Sequence, residues 1–521
     1  MSRLSIRKQW LKLSGYGALW LTAATLLTKL IGVLQKIPLQ NLAGDAVFGI
    51  YNIVYPIYQL MMALAIAGIP TALASYIATL RHDERLHSLR IALIISSGAA
   101  LILSIIVYVS APWLGQWIGH REITSSLRVL AAALCITPII AVYRGFYQGI
   151  DDARSSSLSQ LLEQLVRVGC MLLALWIGLS MGWSDGRLTA GVMWGSAIGA
   201  CAAFAWLWLR RPRQQPTPHT FHQSVLEAKT LVKLALPTAL AAIVVPIVAV
   251  VDALTIPRLL QDIQAADIMA QFGQYSRIQP LTQLVSMLLG AFAAGFLPRW
   301  IKHSPDLQAQ KLLGARLLLM HRIAWFVGCG ATVGLFMLAE PVNVMLYKDI
   351  AGLETFLWLC FTTLTSSMLA VQAPLLQAAG ITRLPIWLLV IAAGSKAILN
   401  AWLVPLYGIN GAAIAANFSL LLPACLGTIA LHYAVRRMSG YADRSMDNPR
   451  FMRSLLSTAI AVITMVLSLG LFKLIVLQTA DFGRLGMTMY ALAAVVVGAL
   501  VYSLVLWITR GVTKQELTWL G

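Results

Sequence analysis

Residues 486–508 read GMTMYALAAVVVGALVYSLVLWI, twenty-three positions without a charge. As a helix this run rises about 35 Å, enough to cross a hydrocarbon core of about 30 Å. Thirteen further runs of the same kind can be placed. They lie at approximately 13–39, 50–78, 91–113, 124–148, 158–181, 189–209, 231–256, 271–298, 317–340, 353–378, 384–404, 408–434 and 454–478. The composition agrees: 59% of the 521 residues are hydrophobic and 11% are charged, against roughly 25% charged in soluble domains. Too little polar material is present to coat a soluble fold of this size. The expected fold is therefore all-α and integral to the membrane, with fourteen transmembrane helices.

The net charge of +19 is sorted by side. With the N-terminus cytoplasmic, the inner segments hold 24 Lys/Arg and 9 Asp/Glu, and the outer segments hold 5 and 8. Arg81, Arg85 and Arg90, then Arg210, Arg211 and Arg213, then Arg436 and Arg437 are examples of the basic side. This is the positive-inside pattern, and it places both termini in the cytoplasm of a multi-pass plasma-membrane protein. The charge thus reports topology and gives no reason to expect nucleic acid. The six cysteines all fall in apolar runs without a CxxC pair, so they read as small buried hydrophobes. No HExxH and no GxxxxGK[ST] occurs, so neither a zinc protease nor an ATP-driven pump is expected. A transporter without catalytic residues, metal or cofactor is expected, coupled to membrane potential, Na+ or H+.

Proline-rich residues 210–230, with Pro212, Pro216 and Pro218, separate six spans from the rest. The expected organisation is an N-terminal lobe at 1–209, a cytoplasmic linker at 210–230 and a C-terminal lobe at 231–435. A cytoplasmic loop at 436–453 follows, and residues 454–521 hold the last two spans and a short tail. A repeat supports the two six-helix lobes. Tyr51, Pro56, Gln59 and Leu60 recur as Tyr275, Pro280, Gln283 and Leu284, and the pair Gln148/Arg167 recurs as Gln377/Lys396. Units of six spans are parallel repeats, which suit pseudo-symmetric lobes rocking about a central cavity. Pro56 and Pro280, inside spans 2 and 8, are candidate kinks for gating. Gly191, Gly195 and Gly199 form a small-residue stripe in span 6 that permits close helix packing.

An ionised side chain at mid-membrane costs about 2.5–3.5 kcal/mol on insertion scales. Thirteen charges remain in or at the edges of the spans, ten basic and three acidic. Lys36, Arg128, Lys233, Arg322 and Lys473 lie near span ends, where a long stem can reach the interface. Glu163 and Arg167 are one turn apart and can pair, or they can line a cavity. Lys29, Arg277 and Lys396 have no nearby acid in sequence, and Arg144 lies one turn from the inner end of span 4. These residues either snorkel, form distant ion pairs, or line a cationic cavity. A cationic cavity inside a membrane favours an anionic substrate, phosphate or pyrophosphate above all. Asp252 is the lone deep acid of the second half, a candidate for pairing with a lysine or binding a coupling ion.

Several motifs carry a resemblance: LIGVLQKIP at 30–38, GFYQG at 145–149, SQLLEQLVR at 159–167, RIQPL at 277–281 and YGINGA at 407–412. With these the chain resembles the polysaccharide-transporter and lipid II flippase branch of the multidrug/oligosaccharidyl-lipid/polysaccharide (MOP) exporter superfamily. It looks most similar to the Gram-positive stage V sporulation protein B-like group. The resemblance implies alternating access by two lobes plus two extra helices. It also implies a substrate of undecaprenyl-pyrophosphate-linked cell-wall precursor, carried from inner to outer leaflet. Membrane lipids and cell-wall synthesis proteins are the implied partners, and a monomer is expected. Lys29 matches a cavity arginine position of such flippases, and Arg277 matches a basic residue of their span 8. The chain departs from the pattern at Gln35 and near Met62, where the family has arginines. Lys396, Arg167 and Arg144 are the candidates to compensate. Other readings are an exporter of another polyprenyl-linked glycan, a multidrug/cation antiporter, or a membrane scaffold.

Overall fold

The computed structural model describes residues 26–66, 68–81, 84–211, 221–302, 307–438, 449–477, 483–513 and 516. The start of span 1, residues 212–220 of the linker and most of the 436–453 loop lie outside the described residues, as do both termini. Among the described residues every regular element is a helix. In the first half these are α1 (26–34), α2 (Lys36–Ile66), α3 (Ile69–Ile77), α4 (Arg85–Ile118), α5 (Ile123–Gly149), α6 (Ala153–Ser180), α7 (Asp185–Leu209) and α8 (Phe221–Asp262). Then follow α9 (Ile268–Ser276), α10 (Gln279–Lys302), α11 (Leu307–Met337), α12 (Ala339–Tyr347) and α13 (Leu353–Cys360). The chain continues through α14 (Thr362–Ala378), α15 (Leu384–Met438), α16 (Pro449–Leu477) and α17 (Arg484–Ile508).

Eleven stretches among the described residues are long and apolar enough to cross a membrane, against the fourteen expected. Two of the eleven, Leu26–Ile77 and Leu384–Met438, run 52 and 55 residues, roughly 80 Å each if straight. Each bends instead at a glycine in a backbone conformation closed to most residues, Gly44 at φ 80° and Gly408 at φ 58°. These bends fall where the sequence breaks its spans, between 39 and 50 and between 404 and 408. Span 8 is interrupted as well: Arg277 and Ile278 form a turn, and α10 starts at Gln279 with Pro280 in its first turn. Proline fits there because the first turn needs no amide donor. By contrast α2 runs through Pro56, and its non-helical backbone is confined to Gly44.

The chain divides into two compact units, one through Gly273 and one from Gln274. This boundary differs from the 210–230 division by span 7, since α8 packs against α2, α3 and α4 in the first unit. The first core gathers Leu73, Ile77, Ile140, Phe146, Ala200 and Leu207. The second gathers Leu297, Leu317, Leu375, Leu388, Leu431 and Val435. The packing pattern repeats. In the first unit α5 (span 4) packs against α3, α4 and α7, which belong to spans 2, 3 and 6. In the second, α14 (span 10) packs against α10, α11 and α15, which belong to spans 8, 9 and 11–12. Outward-facing residues such as Ile94, Val109, Leu467 and Leu500 are exposed and apolar, as a lipid-facing surface requires. Arg187 lies over the Trp183 ring and Arg211 over Trp208, the amphipathic pairing found at membrane–water boundaries.

Candidate functional site

In the first unit the buried charges converge where α5 and α6 meet. The Asp152 carboxylate caps α6 by accepting from the Ser155 amide at 3.1 Å. From that start, Ser159, Glu163 and Arg167 follow at four-residue steps and share one face. Glu163, 7% exposed, accepts from two guanidiniums. Arg144 of α5 reaches Oε2 at 2.7 Å and Arg167 reaches Oε1 at 2.6 Å. Arg144 Nε also donates to Ser159 at 2.8 Å. Two cations about one carboxylate leave the group with a net charge of +1. Arg167 Nε is buried without a hydrogen-bond partner, so this guanidinium holds an unused donor.

A polar chain leads outward from the triad. Gln164 accepts from Arg167 Nη1 at 3.4 Å and donates to Gln35 at 3.3 Å, and Gln35 in turn donates to the Tyr51 hydroxyl at 3.3 Å. Tyr51 stacks on Tyr55 with ring centroids 5.4 Å apart, and Tyr55 meets Tyr58 at 6.1 Å. Beside Gln35, Lys36 donates to Asn52 at 3.2 Å. The sequence suggested an interfacial stem for Lys36; the structure buries it against a polar partner instead. Glycines set the fit of these helices. A Cβ on Gly199 would lie 2.6 Å from the Glu163 carbonyl oxygen, and one on Gly195 would lie 2.6 Å from that of Arg167. The stripe in span 6 therefore lies against the backbone that carries the triad.

The second unit holds Arg277 and Lys396. Arg277 is 1% exposed and bonded from several sides. Nη1 donates to Asp349 at 2.6 Å and to the Ala351 carbonyl at 3.0 Å, while Nη2 reaches the other Asp349 oxygen at 3.2 Å. Tyr347 donates to the Arg277 carbonyl, and its ring lies 5.2 Å from the guanidinium carbon. The turn that interrupts span 8 is thus tied to the α12–α13 loop. Burial raises the Asp349 carboxyl, but hydrogen bonds from Arg277 and the Ala351 amide outweigh it and hold the group below its ordinary value. Lys396 is buried, donates to the Tyr275 hydroxyl at 3.1 Å and lies 5.8 Å from that ring's centre. Tyr275 and Lys396 are the repeat counterparts of Tyr51 and Arg167.

Of the sequence-derived residues, the structure brings Arg144, Glu163 and Arg167 into one cluster. It pairs Lys396 with Tyr275 and engages Arg277 in a separate network. Lys29 stands exposed on α1, and Asp252 is buried on α8. Among the described residues no group of three His, Cys, Asp or Glu is placed to hold a metal ion. Asp349 and Gln164 were not singled out from sequence. Gln164 was visible only as a neighbour of Glu163, and Asp349 looked like an ordinary outer-loop acid.

The family model for polysaccharide biosynthesis proteins matches residues 14–302. The chain belongs to that family. The uncharacterized membrane protein YabM of Bacillus subtilis (strain 168) is 27% identical over 437 residues, covering 82% of this chain and 81% of its own. The lipid II flippase MurJ of the same strain is 22% identical, covering 93% of each chain. Among solved structures, lipid II flippase MurJ in an inward closed conformation matches with a TM-score of 0.66 at 15% identity, over 94% of this chain and 98% of that one. The fold of this family member is therefore that of the lipid II flippase MurJ structure. The chain resembles secondary transporters and not catalytic enzymes.

Proposed function

We propose that this protein is a flippase that moves an undecaprenyl-pyrophosphate-linked cell-wall precursor, similar to lipid II, from the inner to the outer leaflet by alternating access. The observation that carries the reading is the Arg144–Glu163–Arg167 triad, a buried group with a net positive charge and one unused guanidinium donor. Guanidiniums bind phosphate oxygens through paired donors, and Lys29 adds a cation on the adjoining first span. Tyr55, half-buried between the buried Tyr51 and Tyr58, offers a ring face to a sugar unit. In the second unit, Lys396 serves as the counterpart of Arg167, and Arg277 fixes the interruption before Pro280 about which span 8 bends, with Pro56 at the matching position of span 2. Asp252 is the residue proposed for cation coupling.

In this reading each bent stretch crosses twice and α8 crosses once more, giving fourteen crossings with both termini cytoplasmic. Repeat symmetry then relates the lobes at 1–209 and 231–435. Membership of the stage V sporulation protein B-like group rests on the span 4 and span 5 motifs. A second substrate, another polyprenyl-linked glycan, satisfies the same phosphate chemistry. The test is depletion of the native flippase in cells expressing this protein, with the leaflet position of lipid II measured directly. Outward movement restored to the native level is expected. Movement no greater than in depleted cells would overturn the lipid II reading.

A further inference from the structure

The hydrogen-bond chain that leaves the triad has only one possible direction. A guanidinium carries donors and no acceptor, so the Gln164 atom that meets Arg167 Nη1 at 3.4 Å is its amide oxygen. That contact fixes which way the Gln164 amide is turned. Its nitrogen therefore faces Gln35, 3.3 Å away, and the Gln35 atom there is again an oxygen. The Gln35 nitrogen is left to face Tyr51, where it donates to the hydroxyl oxygen at 3.3 Å. Every link runs the same way, from the cation to the phenol. The Tyr51 proton must point away from the chain, and among the described residues no acceptor is bonded to it.

The surroundings hold this polarity in place. Tyr51, Gln35 and Gln164 are all buried, at 4%, 5% and 4% exposure, so bulk water competes little for these bonds. The Tyr51 ring stacks on Tyr55 with the planes 12° apart, which leaves rotation about the C–O bond as the freedom of the hydroxyl. A chain of hydrogen bonds that begins on a charge polarises each member in turn, so Tyr51 is a stronger donor than an isolated phenol. The second unit repeats the arrangement. There Lys396, the counterpart of Arg167, donates directly to the hydroxyl of Tyr275, the counterpart of Tyr51, at 3.1 Å. An ammonium has no acceptor either, so the tyrosine oxygen accepts in both units. What Lys396 does in one bond, Arg167 does through two glutamines.

We infer that Tyr51 is a specificity-determining residue whose hydroxyl donates to an acceptor oxygen of the substrate head group, and that Gln35 and Gln164 are positioning residues that hold it as a donor. This rests on the flippase reading above, which sets the pyrophosphate beside Arg167. The chemistry required of the ligand is an oxygen acceptor, supplied by the pyrophosphate or by the sugar attached to it. A head group presenting a hydrogen at that point meets the Tyr51 proton and is disfavoured.

Binding of two probes to the full-length protein in detergent tests this: undecaprenyl pyrophosphate alone, and the same lipid carrying one N-acetylhexosamine. Tyr51→Phe keeps the ring stack and removes only the hydroxyl, and binding about tenfold weaker is expected. A loss for both probes assigns the acceptor to the pyrophosphate, and a loss for the sugar-bearing probe alone assigns it to the sugar. Gln164→Met cuts the relay without changing charge, so the Gln35 amide can turn over and accept the Tyr51 proton. It should weaken the same probe, and added to Tyr51→Phe it should cost clearly less than it costs alone. The tyrosine Raman doublet, taken as the difference against Tyr51→Phe, should show an accepting oxygen in the ligand-free wild type and a donating hydroxyl in ligand-free Gln164→Met. Thermal melts identify a misfolded variant, and if Gln164→Met is one, Tyr51→Phe carries the test by itself. Unchanged affinity of folded Tyr51→Phe for both probes would overturn the inference and leave the flippase reading standing. Failure of the wild type to bind either probe would overturn both. An equal cost of Gln164→Met in the two backgrounds, or the same doublet in wild type and Gln164→Met, would overturn the relay.

Discussion

Replacing Glu163 with Gln removes one negative charge and little volume from the triad. The Glu163 oxygens lie 2.7 and 2.6 Å from the two guanidinium nitrogens. With charge centres about 4 Å apart and an effective dielectric constant of about 20, each attraction is worth roughly 4 kcal/mol before desolvation. Gln keeps one acceptor oxygen, so the net loss falls to about 3–5 kcal/mol, the usual result of breaking a buried pair. At roughly 2–4 °C per kcal/mol for a unit of this size, the melting temperature should fall by about 6–20 °C. The same change raises the group from +1 to +2, and a bound pyrophosphate no longer faces a resident carboxylate. Polyprenyl pyrophosphate should then bind at least about tenfold more tightly, which is 1.4 kcal/mol, and should recover part of the lost melting temperature. Thermal melts with and without the ligand, followed by a leaflet assay, measure both effects. Tight binding with slow release predicts weaker transport. An unchanged melting temperature would show that the pairs contribute nothing. A lowered one without ligand recovery would show that the triad is structural and that the substrate binds elsewhere.

Three further outcomes follow from the geometry. Asp349→Asn should loosen the tie between the span 8 turn and the α12–α13 loop, lowering stability by about 1–3 kcal/mol. Because the Asp349 pKa is lowered in the folded protein, its stabilisation is complete above the ordinary carboxylate value near 4 and is lost as pH falls through the lower folded value. Melting between pH 5 and pH 2 should therefore decline more steeply in wild type than in Asp349→Asn; parallel profiles would refute the assignment. Gly199→Ala should reduce stability and transport together, since its Cβ would press on the Glu163 carbonyl at 2.6 Å; wild-type melting and transport would show that α6 and α7 have slack. Lys29→Ala should leave the melting temperature within about 1 °C, because the side chain is exposed, while transport falls at least tenfold. Full transport in that variant would remove Lys29 from the substrate path.

The membrane class and the Glu163–Arg167 pair were legible because both signals are local: apolar runs of helix length, and opposite charges one turn apart. Arg144 was visible as a charge but not as the third member. Its meeting with Glu163 depends on α5 and α6 folding back across the turn at 150–152, and nineteen positions of separation carry no such signal. Arg277 shows the same limit more sharply, since Asp349 is seventy-two positions away in a loop. The breaks between spans 1 and 2 and between spans 11 and 12 were legible, at 40–49 and 405–407, but not that each turns on one glycine, Gly44 or Gly408. The glycine stripe of span 6 was recognisable as a packing surface. Which backbone it would meet was not, because a stripe of small residues specifies closeness without naming the neighbour.

The contact at Gly195 and Gly199 bears on how the first unit can change shape. Main chain there lies nearly against main chain, so α6 and α7 cannot slide past one another by a fraction of a turn without collision. They must travel as a single piece, carrying Glu163 and Arg167 with them. Toward the α1–α2 junction, by contrast, Gln164 of this piece donates to Gln35 at 3.3 Å, a weak and readily exchanged coupling. The yielding seam of the unit therefore runs between α2 and the α6–α7 pair. A disulfide across that seam should arrest the cycle, while one joining α6 to α7 should leave it running.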